Sequence, residues 1–91
     1  DLPTIKLSNV DILNGEFEII EAEIIETSEL INKELKKSDL PEEIRIGAVL
    51  RGDEVIIPRS NFVFKKEDVV VLLAKKESLD VVENMFRISS I

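Results

Sequence analysis

Arg51 and Arg59 bracket the apolar run VIIP, Val55 to Pro58, and that arrangement suits one kind of chemistry. A guanidinium pairs bidentately with phosphate or carboxylate, so two of them beside an apolar patch fit a small anionic ligand. Two ordinary surface arginines, one satisfied by Glu54, account for the same pattern. A second cluster is acidic: Glu18, Glu21, Glu23 and Glu26. Hard divalent cations take carboxylate oxygens, and a carboxylate pair can hydrolyse. On a strand, however, Glu21 and Glu23 share one face while Glu18 and Glu26 point the other way. No glycine-containing calcium loop accompanies them, and a solvated face is the preferred account. A hydrolase using Glu21 and Glu23 stays as a remote alternative. Arg51-Gly52-Asp53 spells an adhesion tripeptide, but it is better explained as a turn in which glycine supplies backbone freedom and aspartate tolerates it.

Composition removes most other chemistries. The 91 residues include no histidine and no cysteine. Disulfides, thiolate catalysis, the common zinc sites and a Ser-His-Asp triad are therefore excluded. There is no glycine-rich phosphate loop, so the chain alone does not hold a dinucleotide in the Rossmann manner. A non-catalytic domain with no metal site and no cofactor of its own is expected. Nineteen acidic against twelve basic residues give a net charge of −7, which opposes nucleic acid and anionic membranes. No apolar run approaches the ~20 residues that span a bilayer, and no signal peptide is present. These features predict a cytoplasmic domain, cut from a longer protein since it begins Asp1-Leu2-Pro3.

The elements that position these residues follow from periodicity. Residues 1–15 read as a linker remnant ending in the turn signal Asn14-Gly15, and 16–91 as one domain. Glu16 to Glu26 alternates as a strand, with Ile20, Ala22 and Ile24 on one face. Thr27 or Ser28 can cap a short amphipathic helix over Ser28–Lys37, its stripe formed by Leu30, Ile31 and Leu35, with Pro41 beyond its end. A hairpin then turns at Gly52-Asp53 in type II′ geometry, pairing Arg51 with Glu54, Leu50 with Val55 and Val49 with Ile56. Strict alternation puts Ile44, Ile46, Ala48, Leu50, Val55 and Ile57 in the core. It leaves Val49 and Ile56 as an outward contact pair. Asn61–Phe64 is a further short strand. Val69–Ala74 is six consecutive apolar residues, a central strand buried on both faces. Ser78 caps a last helix carrying Leu79, Val82 and Phe86. The sum is an α+β domain: a small five-stranded, mainly antiparallel sheet with two helices.

Three signatures occur in order: SELINKELKKSDLPEEIRIGAVLR, the hairpin ending VIIPRS, and the acidic turn KKEDVVVLLA. Together they resemble the TrkA-C, or RCK-C, domain family over Glu16 to about Phe86, and the ending VVENMFRISSI is similar to that of potassium-uptake members. The resemblance implies a regulatory module following a nucleotide-binding domain in potassium uptake and channel-gating proteins. NAD or ATP would belong to that absent domain. Such modules form homodimers, and several bind a small ligand, cyclic di-AMP in some branches, in the dimer cleft. Family positions lining that cleft fall here on Arg45, Ile46, Arg51, Ile56, Ile57, Pro58 and Arg59; Val49 and Ile56 would carry dimer contact. The family's usual PRGD reads Pro58-Arg59-Ser60-Asn61 here. The implied partners are a second copy, a membrane potassium transporter subunit and a small anion. An anion or dicarboxylate transporter, or a proton antiporter, is the alternative client.

Overall fold

A computed structural model describes residues 5–7 and 16–86. Five antiparallel strands run β1 (Ile5–Leu7), β2 (Phe17–Glu23), β3 (Ile44–Arg51), β4 (Glu54–Ile56) and β5 (Val69–Lys75), followed by helix α1 (Leu79–Phe86). They lie side by side in the order β1-β2-β5-β3-β4. The α+β class and the central place of β5 agree with the sequence reading, but the set of elements differs. Four expected strands are present. The fifth, β1, arises inside the segment read as a linker remnant and pairs with β2. Residues 1–4 and 8–15 of that segment, and the tail 87–91, lie outside the described residues. Asn61–Phe64 is no strand; it contributes one isolated bridge, Val63 to Glu34.

The helix expected over Ser28–Lys37 is also absent. Turns occupy the segment, ending in a 3-10 turn at Leu35–Lys37. Asn32 takes a positive φ of 62°, which interrupts any helix there. Its neighbours donate outward, from Asn32 to the Phe64 carbonyl at 2.8 Å and from Leu35 to that of Phe62 at 2.7 Å. Phe64 returns a bond to the Lys33 carbonyl at 3.0 Å. A ten-residue helix is marginal in isolation, and these tertiary bonds outcompete it. The stripe still does its work, since Leu30 is fully buried. Ser28 caps no helix; its hydroxyl accepts from the Leu30 amide and donates to the Met85 carbonyl at 2.9 Å, tying the turn to α1.

Gly47 reverses the faces of β3. Ile46 pairs with Leu72 and Ala48 with Val71, so Gly47 is an extra residue between them. Such a bulge shifts the alternation by one and exchanges inside for outside. Ile44 faces the core before the bulge and Val49 after it, at 1% and 0% exposure. Beyond the turn the hairpin register matches the one read from sequence, and Gly52 supplies the positive φ of 59° required there. The core assignment nevertheless inverts: Val55 and Ile57, expected inside, are 70% and 72% exposed. Val49 and Ile56, expected outside, join the core cluster with Ile20, Leu72, Phe64 and Phe86. Val49 has no surface left to offer a partner.

Truncations separate the two faces. Val49→Ala is expected to cost about 1–3 kcal/mol through lost transfer energy and a cavity, while Val55→Ala costs less than about 0.5 kcal/mol. Equal losses in chemical denaturation would contradict the inverted register.

Candidate functional site

The faces so defined bring chemistry to the side of the sheet away from α1. Three rows of paired residues cross it: Ile19, Leu73 and Arg45; Glu21, Val71 and Ala48; Glu23, Val69, Leu50 and Val55. The apolar members other than Val55 are half-buried by one another and stand outside the core cluster. β5 alternates buried and half-buried along its length, so among the described residues this central strand is fully covered on one side only. Its unbroken apolar composition is thus one-half in use within the chain.

Arg45 stands between two cavities. One, of ≈310 Å³, is walled almost wholly by apolar atoms of Ile19, Ile46, Gly47, Val71, Leu72 and Leu73 on the outer face. The other, of ≈450 Å³, lies at the end of the sheet against the 35–40 segment. There Lys36 and Arg45 supply positive charge, Asp39 opposes it, and Leu35, Leu40 and Ile46 supply apolar wall. Two cations over an apolar floor can hold a small anion.

Arg51 is committed elsewhere. Its Nε and NH2 groups donate to the two carboxylate oxygens of Asp68 at 2.8 and 2.7 Å, and NH2 also donates to the Val63 carbonyl at 3.0 Å. The guanidinium lies 4.8 Å from the centre of the Phe62 ring, which meets Phe64 edge-on at 5.4 Å. Asp68 is 1% exposed and also accepts from the Lys65 amide at 2.8 Å. Arg51 sits opposite Glu54 in the hairpin, as expected, but its ion pair goes to the buried acid, whose desolvated charge has the greater need of it. The hydrogen bond to Asp68 raises the Arg51 pKa; burial opposes, and the charges of Asp68 and Glu54 add to the rise. A raised folded-state value means the contribution is complete below the unfolded value and is lost only on passing the higher folded one. Arg51 itself therefore adds no pH dependence to stability at neutral or acid pH.

Within one chain the seven residues expected to line the dimer cleft do not share one cavity. Arg45 and Ile46 line both cavities, whereas Arg51, Ile56, Ile57, Pro58 and Arg59 line neither. Ile56 packs on the core, Ile57 and Arg59 are exposed, and Pro58 is half-buried. Glu21 and Glu23 share the outer face and Glu18 the other, as strand alternation requires, and no described acidic group converges enough to hold a metal ion. Sequence reasoning missed Lys36 as a cavity wall and Asp68 as a buried anchor. An acid immediately before an apolar central strand was the available signal for Asp68.

The model of the TrkA-C domain matches residues 19–87. The chain belongs to the TrkA-C domain family. This TrkA-C domain is 42% identical over 78 residues to the Trk system potassium uptake protein TrkA of Azorhizobium caulinodans, covering 86% of this chain and 17% of that protein. It is 34% identical over 64 residues to a TrkA homolog of Archaeoglobus fulgidus, covering 70% of the chain and 15% of that relative. A K(+)/H(+) antiporter, NhaP2 of Shewanella baltica, shares 28% over 73 residues, 80% of the chain and 13% of the antiporter. The chain therefore spans about a sixth of its TrkA relatives. Among solved structures, the GsuK RCK domain superposes with a TM-score of 0.77 over 93% of this chain and 18% of that one, at 17% identity, which establishes likeness of fold.

Arg51→Met strands the Asp68 carboxylate and is expected to destabilise the TrkA-C domain by about 2–3 kcal/mol, below the 3–5 of a fully buried pair because Arg51 is 37% exposed. Adding Asp68→Asn to Arg51→Met should recover part of that loss in a double-mutant cycle. Strictly additive losses would show that the two side chains do not act together.

Proposed function

We propose that this domain is a dimerising, ligand-responsive regulatory module of a potassium uptake system, without catalysis of its own. The observation that carries the reading is β5, a central strand apolar on both sides and, among the described residues, fully covered on one. Burying apolar surface is the main favourable term in association, and an open apolar sheet face is where it is available. The high identity to TrkA proteins supports the potassium-uptake client. No helix among the described residues is long and apolar enough to cross a membrane, consistent with action on a pore through partners in the cytoplasm.

The mechanism is a population shift. A ligand in the Lys36–Arg45 cavity, beside the outer face, favours one dimer geometry over another; differential affinity for the two is what moves the equilibrium. An attached nucleotide-binding domain, the place for NAD or ATP, transmits that geometry to the transporter. The likeness to NhaP2 supports a second reading, in which the client is a proton antiporter and the module works in the same way.

Two measurements test this. Sedimentation equilibrium should show a dimer, weakened at least about tenfold by Val55→Asp, because a charge on the outer face must be desolvated on association. Thermal-shift screening of cyclic dinucleotides, adenine nucleotides and cations should find an anionic compound that raises Tm on the order of 10 °C at a hundredfold excess over Kd. Lys36→Ala should abolish that shift. A monomeric chain, or an undiminished shift in Lys36→Ala, would refute the corresponding half of the proposal.

A further inference from the structure

The outer face is apolar in its middle but carries opposite charges at two related places. Arg45 projects from β3 in the row of Leu73 and Ile19, and Glu21 projects from β2 in the neighbouring row of Val71 and Ala48. Both are exposed. They stand on either side of β5, two strands apart, which is roughly 10 Å at the usual strand spacing. Arg45 donates to the adjoining Ile44 carbonyl at 3.2 Å, which leaves further guanidinium donors without a partner among the described residues.

We infer that Arg45 and Glu21 form reciprocal ion pairs across a two-fold axis, each arginine meeting Glu21 of the partner subunit, and that these pairs set the register of the dimer. The inference rests on the dimer proposed above and names its determinants. A two-fold axis lying in the face, oblique to β5 and passing between Val71 and Leu73, superposes the position of one residue on that of the other. The same operation lays the apolar rows of one copy on those of its partner, with the sheets crossing steeply. That is one of the two standard ways sheets pack. An isologous interface needs such self-complementarity, because a contact made once is made twice.

Charge also selects the occupant. Each chain carries a net charge of −7, so two copies repel in general, and the approaching faces must offset this locally. A face bearing Arg45, Glu21 and Glu23 does so for a copy of itself.

The test is a charge exchange followed by sedimentation equilibrium, with circular dichroism confirming that each variant folds. Both positions are on the surface, so the fold should tolerate the changes. Glu21→Arg and Arg45→Glu should each weaken self-association at least about tenfold, since each places like charges opposite one another twice. An equimolar mixture of these two variants should form a heterodimer, in which both pairs are opposite in sign again. The double variant Glu21→Arg/Arg45→Glu should return to wild-type affinity. Single variants that dimerise like wild type, or a double variant as weak as the singles, would overturn the pairing while leaving the dimer intact. A wild-type chain that stays monomeric at all concentrations would overturn the dimer and the pairing together.

Discussion

Gly47 gives β3 one residue more than the stretch of β5 it pairs with, and the character of both sheet faces follows from that insertion. Side chains alternate with period two, so one added residue sends every later one to the opposite side. Because β4 takes its register from β3, the exchange extends through the hairpin to Val55 and Ile57. A Cβ at Gly47 would meet the Val71 carbonyl oxygen at an ordinary 3.7 Å, so the bulge itself, and not the want of a side chain, is what exchanges the faces. The result is a chain with two kinds of apolar surface. One closes over α1 and the long connection. The other is left half-buried by the described residues and is edged by Arg45 and Glu21.

The closed side is held by few polar contacts, each with several partners. Asp68 gathers Arg51 from the hairpin and the Lys65 amide from the turn before β5. Across the same corner the Glu67 amide donates to the Ile24 carbonyl and the Ile24 amide donates to the Asp68 carbonyl, each at 2.7 Å. Ser28 joins the start of the connection to the end of α1. A small domain has little stability in reserve, and buried polar groups satisfied in this way specify one arrangement of loops where a helix is absent. Rigid support beneath the sheet holds its outer face in one shape.

Much of this was legible from sequence because local rules and tertiary structure agreed. The hairpin turn, its three paired positions, the inward face of β2 and the burial of Val82 and Phe86 on α1 follow from alternation, helical spacing and turn chemistry. The failures have physical causes. Alternation cannot reveal a bulge, since Ile44-Arg45-Ile46-Gly47-Ala48-Val49-Leu50 fits either phase and both faces contain apolar residues. The stripe Leu30, Ile31 and Leu35 suits a helix or a turn-rich segment pinned from outside, and bonds to Phe62 and Phe64 decide for the latter. β1 is three residues long and acquires strand character from β2. Arg51 was expected opposite Glu54 and in a ligand cleft; its pairing with the buried Asp68, 17 residues on, is a tertiary contact that local alternation does not encode.

The central claim is that the open sheet face is the surface one chain presents to another. Methyl NMR with a soluble paramagnetic agent, recorded over a concentration series, tests it most directly, since it reports exposure of each methyl group separately. The account predicts that Leu50, Val55, Val69, Val71 and Leu73 lose accessibility together as concentration rises. Val49, Val70 and Leu72 should be shielded throughout. Outer-face methyls that remain equally accessible while a different surface becomes protected would contradict it.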